Sequence, residues 1–268
     1  MVNALATDGE FHPAICRMNT TGGITTAIHQ PNYIPWLGYF FKLAHVDKFV
    51  FLDTVAYSSG SFVNRNSIKT PTGPAWLTIP VLTSGRSGQL ISQVEADNTH
   101  DWPQRHLTTL RCNYSKAPYF KETFALLEPH YTVRAGGRRD LADFNIDIIN
   151  LIASYLGLKA QCVRTSELKI SGHKTDLILD ICRAIGAKTY LAGMGSKSYQ
   201  EDHKFADAGI TPIYSCFSQR SYPQRFGEFI GNLSIVDVLM NCGYLGTRRL
   251  LDLDTEPGTT QDIKPRLL

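Results

Sequence analysis

The run KFVFLD, residues 48–53, places four apolar side chains in succession, Phe49 to Leu52. Side chains of a strand alternate between its two faces, so a strand that is apolar at every position must be buried on both. A sheet covered by helices on both sides meets that demand, and such sheets are mostly parallel. A second short strand is expected upstream, at Ile24–Ile28. Between the two, Leu37, Phe40, Phe41 and Ala44 recur at helical spacing. Pro35 suits the first turn of that helix, where its missing N–H costs nothing. Strand, helix and strand make one β-α-β unit, with 48–53 inside the sheet.

The second half continues the alternation. Over 139–156, Leu141, Phe144, Ile148, Leu151, Ile152 and Tyr155 share a helical face, and Gly157 stops it. A strand is expected over 161–165, an amphipathic helix over 175–185 ending at Gly186, and a strand over 189–192. A helix over 198–208 opens with a Ser198/Glu201 capping box and closes at Gly209. A strand over 211–215 follows, then a short helix over 234–241 with Ser234 as cap, Asp237 at its third position and Gly243 as its stop. The middle is less regular. Residues 55–73 read as a long polar loop, 76–81 and 90–94 as strands around a turn at 85–88, and 100–114 and 119–128 as helices broken by Ala117-Pro118. The expectation is an α/β fold: a mostly parallel, Rossmann-like sheet of β-α-β units with helices on both faces, and a small β/helical insertion around 75–130. Neither an internal repeat nor a linker is visible. One domain over 24–246 is expected, with a disordered tail at 1–23 and a C-terminal tail over 247–268.

Composition narrows the function. Charged residues make up 19% of the 268 positions and the net charge is only +3, with no basic run longer than a pair such as Arg138-Arg139. That pattern gives no support to a nucleic-acid partner and is compatible with anionic small molecules. The six Cys, at 16, 112, 162, 182, 216 and 242, contain no CxxC pair, so a metal site is not expected. The first residues lack the apolar segment of a secretory leader, and no run is long enough to span a membrane, which predicts a cytoplasmic, reduced protein. No G-x-S-x-G elbow is present, and Cys242 sits at a helix C-terminus, where the negative end of the dipole would raise its pKa.

Three stretches concentrate hydrogen-bonding groups. The corner HQPNYIPW offers His29 as an acid or base, Gln30 and Asn32 as donors and acceptors, and Tyr33 and Trp36 as walls for a ring or carbon chain. It follows the first strand, and Asp53 ends the second; ligands of open α/β sheets bind beyond such carboxyl ends. His29 and Asp53 are therefore the candidate catalytic pair. In the loop SSGSFVNRNSIK, Asn64, Arg65, Asn66 and Lys69 are candidate binding residues, with Arg65 able to clamp a carboxylate or phosphate. In AGMGSKSYQE, a glycine turn leads into a helix start, where backbone N–H groups and Lys197 could hold an anion.

Taken in order, HQPNYIPWLGYFFKL, FLDTVAYSSGSFVNRNSIKTPTGPAWLTIPV, CNYSKAPYF, GMGSKSYQ and YPQRFGEFIGNLSIVDVLMNCG resemble the WbqC-like family over residues 25–244. The family's glycine loop often reads G-P-[SG]-G-K-D-Y; here Lys197 and Tyr199 match it, while Met194 and Ser198 depart. The resemblance implies a setting in bacterial polysaccharide (O-antigen type) or natural-product biosynthesis. It also implies a cytoplasmic tailoring enzyme that acylates or aminoacylates an amine. An acyl-thioester donor and an acyl carrier protein are the co-substrate and partner that reading brings. In it, His29 would deprotonate the amine, Asn64, Asn66 or Gln30 would stabilise the oxyanion, and Arg65 and Lys197 would hold a phosphate or carboxylate. Two alternatives stand beside it: a nucleotidyl- or phosphoryl-transfer enzyme, and a non-catalytic module that binds a carrier protein or sugar nucleotide.

Overall fold

In the computed structural model, which describes residues 22–132, 140–170, 172–196 and 200–254, five strands pair in parallel. They are β1 (Ile24–His29), β2 (Lys48–Phe51), β5 (Gln161–Arg164), β6 (Ala187–Ala192) and β7 (Thr211–Tyr214), in the spatial order β5-β2-β1-β6-β7. The consecutive apolar residues of β2 behave as their chemistry demands. Phe49 and Phe51 pack into one core and Val50 into another. Ala27 and Ile28 of β1 divide in the same way, as do Leu191 and Tyr190 of β6. The first core is covered by α1 (Leu37–Ala44), α2 (Trp102–Tyr114), α3 (Phe120–Thr132), α4 (Leu141–Tyr155) and α7 (Ile235–Leu250). The second is covered by α5 (Lys174–Ala184) and α6 (Asp202–Asp207). The α/β class with helices on both faces is thus the observed one. No helix among the described residues is long and apolar enough to cross a membrane.

Several local expectations are corrected. Part of the polar loop is a strand: β3 (Arg65–Thr70) pairs antiparallel with β4 (Gly73–Thr78). Its polar side chains hid it, because Asn66 and Lys69 are buried rather than facing solvent. Ile91–Gln93 forms a 3-10 turn instead of a strand. The helix α1 begins after Trp36, so Pro35 precedes it rather than lying in its first turn. Its carbonyl is used by the backbone N–H of Ile235, at 2.8 Å. α6 starts at Asp202, and Ser198 of the expected capping box lies outside the described residues, as do residues 1–21 of the expected tail. Gly243 does break its helix, with φ 63° and ψ −167°, but helical structure resumes to Leu250. A Cβ at that glycine would lie 2.4 Å from the Tyr119 ring, so the break also makes room for an aromatic.

The corner after β1 is clamped by amides and a hydroxyl from distant segments. Asn145 Nδ2 donates to the carbonyls of Pro31 (2.8 Å) and Val63 (2.7 Å). Asn66 Nδ2 donates to those of Tyr33 (3.3 Å) and Ile34 (2.9 Å), and Ser234 Oγ also donates to Ile34, at 2.8 Å. Tyr39 Oη donates to the Gln30 carbonyl at 3.2 Å. These contacts hold Ile34 at φ 33°, a conformation a β-branched residue avoids. Such strain costs about 1–3 kcal/mol and persists only where the surroundings over-determine it.

The end of β2 is tied to the end of β5 by Asp53. Its carboxylate is fully buried and accepts from Arg164 Nε (2.9 Å), Thr165 Oγ1 (2.8 Å), and the backbone N–H (2.9 Å) and hydroxyl (2.7 Å) of Ser166. Burial alone would raise its pKa, but the hydrogen bonds from Ser166, Thr165 and Arg164 outweigh it and leave the carboxyl below its ordinary value.

Replacing Asn145 by Ala orphans two backbone carbonyls and is expected to cost about 2–4 kcal/mol in chemical denaturation. Asp53→Asn removes one partner of a buried ion pair and is expected to cost about 3 kcal/mol at neutral pH. A depressed folded-state pKa stabilises above the unfolded value of about 3.9 and ceases to as pH falls through the folded one. The stability gap between wild type and Asp53→Asn therefore closes in acid, which denaturant titrations across pH would register.

Candidate functional site

The strand order reverses direction between β1 and β6. From β1 the chain moves outward to β2 on one side; from β6 it moves to β7 on the other. In an open parallel sheet, such a point leaves a crevice beyond the carboxyl ends of the strands. A cavity of about 1310 Å³ opens there. It is lined by the ends of β1 (Ile28, His29, Gln30), β6 (Gly193) and β7 (Ser215), by α1, and by the start of α5.

His29 is partly buried, and its ring stands edge-on to Tyr39 at 4.7 Å and to Trp36 at 5.6 Å between centroids. Its Nδ1 lies 3.2 Å from the Gln30 carbonyl. A carbonyl only accepts, so Nδ1 carries the proton and Nε2 keeps its lone pair. Burial, and then the charge of Lys42, hold the pKa well below 6.5, against the opposing pull of the Gln30 carbonyl. His29 is therefore a neutral base at physiological pH.

Lys42 escapes sequence reasoning. It lies one turn after Gly38 on α1, whose residues 37–43 are all buried. The lysine is only 7% exposed, and burial pulls its ammonium down to about 8. Both Gly38 and Lys42 line the cavity. Gly38 must be small: a Cβ there would meet Trp36 Nε1 at 2.9 Å and Phe217 Cδ1 at 3.0 Å. A lysine inside the apolar run LGYFFKLA was the available signal.

The other expected site residues divide sharply. Gln30 and Trp36 line the cavity with His29. Trp36 also heads an aromatic row: Phe62 lies 5.6 Å from it, Trp76 lies 6.0 Å beyond, and the Arg65 guanidinium sits 4.5 Å over the Trp76 ring. Asn32 is buried. Tyr33 has no exposed surface and sits in a relay beneath the corner. His106 Nε2 donates to the Thr78 carbonyl (3.2 Å), so its Nδ1 accepts from Tyr33 Oη (2.9 Å), which in turn accepts from Tyr131 Oη (2.6 Å). Burial lowers the His106 pKa to about 4, consistent with that neutral tautomer. Asn64 Nδ2 is spent on the Ile79 carbonyl and Asn66 on the clamp. Lys69 is buried against Gln224 and the Glu228 carbonyl. These residues and Asp53 support the site without lining it. Lys197 and Tyr199 lie outside the described residues.

Three of the described thiols are poorly poised for nucleophilic chemistry, and none of the three lines the cavity. Burial raises Cys162 to about 11 and Cys182 and Cys242 to about 12. Among the described residues, no group of three or more His, Cys, Asp or Glu converges as a metal site.

Comparison with known proteins places the chain. The uncharacterized protein Rv1507c of Mycobacterium tuberculosis is 35% identical over 218 residues, spanning 81% of this chain and 93% of that protein. No solved structure matches. The profile of the WbqC-like protein family matches residues 30–248, from the clamped corner to the resumed turns of α7. The chain belongs to the WbqC-like protein family.

Proposed function

We propose that this protein is a cytoplasmic tailoring transferase of bacterial polysaccharide or natural-product biosynthesis. It forms an amide by moving an acyl or aminoacyl group from a thioester-type donor to an amine. The observation that carries this reading is His29: a neutral imidazole, anchored through Nδ1, in the wall of a large cavity at the sheet's reversal point. The pathway setting is the one the family resemblance implies.

The amine lone pair attacks the donor carbonyl carbon while His29 Nε2 takes the amine proton. The side-chain amide of Gln30, beside it in the cavity, donates to the oxyanion. Collapse breaks the C–S bond, and His29 returns the proton to the departing thiolate. No covalent enzyme intermediate is needed, which suits a cavity whose lining residues include no cysteine. Trp36 and Phe62 supply flat apolar walls for the acyl chain or acceptor ring.

Mass spectrometry of reactions that pair acyl- or aminoacyl-thioester donors with amine acceptors tests this. A product heavier by one acyl group is expected, and unchanged substrates contradict the reading. His29→Gln is expected to lower turnover by about 10²–10⁴-fold, with circular dichroism unchanged. The base acts deprotonated, so kcat/KM should fall on the acid side only well below pH 6.5, as the depressed His29 pKa requires.

A further inference from the structure

We propose that Lys42 is an anion-binding residue: its ammonium receives a carboxylate or phosphate oxygen of the ligand that enters the cavity between the ends of β1 and β6. An ammonium removed from water needs a counter-charge or hydrogen-bond acceptors. Lys42 is 93% buried by its 7% exposure, yet among the described residues it has neither an ion pair nor a side-chain hydrogen bond. Burial is what acts on its proton affinity, with no offsetting anion.

The carboxylates of the cavity wall are already taken. Lys204 holds Asp176 at 2.9 Å and Glu201 at 2.5 Å. A Cβ built on Gly193 would lie 3.8 Å from Lys42 Nζ, so the ammonium stands at the carboxyl end of β6, beside the glycine turn. The first turn of α5, with His173, Lys174 and Thr175, lines the same cavity and adds the positive end of an 11-residue helix. Lys174 is itself at φ 52°, a strained conformation of the kind found at ligand sites. Lys42 and Lys174 thus face a space whose two acidic groups, Asp176 and Glu201, are already paired with Lys204 of the same wall. The inference depends on the cavity and not on amide chemistry, so it survives or fails apart from the proposed reaction.

The test compares thermal unfolding of the wild type and Lys42→Met in sodium phosphate, sodium acetate and sodium chloride at matched ionic strength. Methionine keeps the apolar stem and removes the charge. Phosphate or acetate is expected to raise the wild-type Tm beyond chloride, and whichever is stronger names the anion class. Lys42→Met should match or exceed the wild-type Tm in chloride and lose the extra rise. A variant that keeps the wild-type response, or a wild type that responds to neither anion, overturns the proposal. Labelling of the wild type with acetic anhydride, read by peptide mass spectrometry, gives the same answer without a variant. Modification of Lys42 should slow about tenfold at an anion concentration ten times its Kd. An unchanged labelling rate overturns the assignment.

Discussion

The backbone of the corner between β1 and α1 is the constraint from which the site follows. Its carbonyls at Gln30, Pro31, Tyr33, Ile34 and Pro35 all accept hydrogen bonds, from α1, α4, β3, and the start of α7. Ile34 is forced into a left-handed conformation that only so many contacts could sustain. That bend sets the entry angle of α1. It points Gly38 and Lys42 at the carboxyl ends of the strands and leaves His29 at the cavity wall.

Lys42 then helps to set the protonation of His29, while burial alone acts on the lysine. Two cations in one partly desolvated corner repel, and burial penalises both. The lysine, at about 8, keeps its proton at neutral pH, while the imidazole gives its proton up. One position offers an unprotonated base and its neighbour a fixed positive charge. The two groups thus face the cavity with different charges, and the proposed base and the proposed anion contact stand as separate claims.

The sheet was legible from the sequence because its signals are local. Consecutive apolar residues in β2, helical spacing in α4, and glycine stops at Gly157 and Gly186 each act within a few positions. The site was legible in location but not in roles. Asn66, Asn145 and Ser234 hold carbonyls 32 to 200 positions away, and such partners leave no periodic trace. Asp53 looked catalytic because it ends a strand. Its partners Arg164, Thr165 and Ser166 reach it only because β5 pairs with β2, which depends on sheet order. Asn64, Asn66 and Lys69 look like ligand contacts in the sequence, yet their side chains hold the protein's own carbonyls. Lys42 gives no signal of its own beyond the apolar run around it, because a lysine within a helix is ordinarily solvated.

The account turns on the protonation state and tautomer of one imidazole. Nitrogen-15 NMR of the His29 side chain, assigned by comparison with His29→Gln, measures both directly. The expected spectrum at pH 6.5 has a protonated, pyrrole-like Nδ1 and an unprotonated, pyridine-like Nε2. An imidazolium at that pH, or a proton on Nε2 with Nδ1 bare, would contradict it.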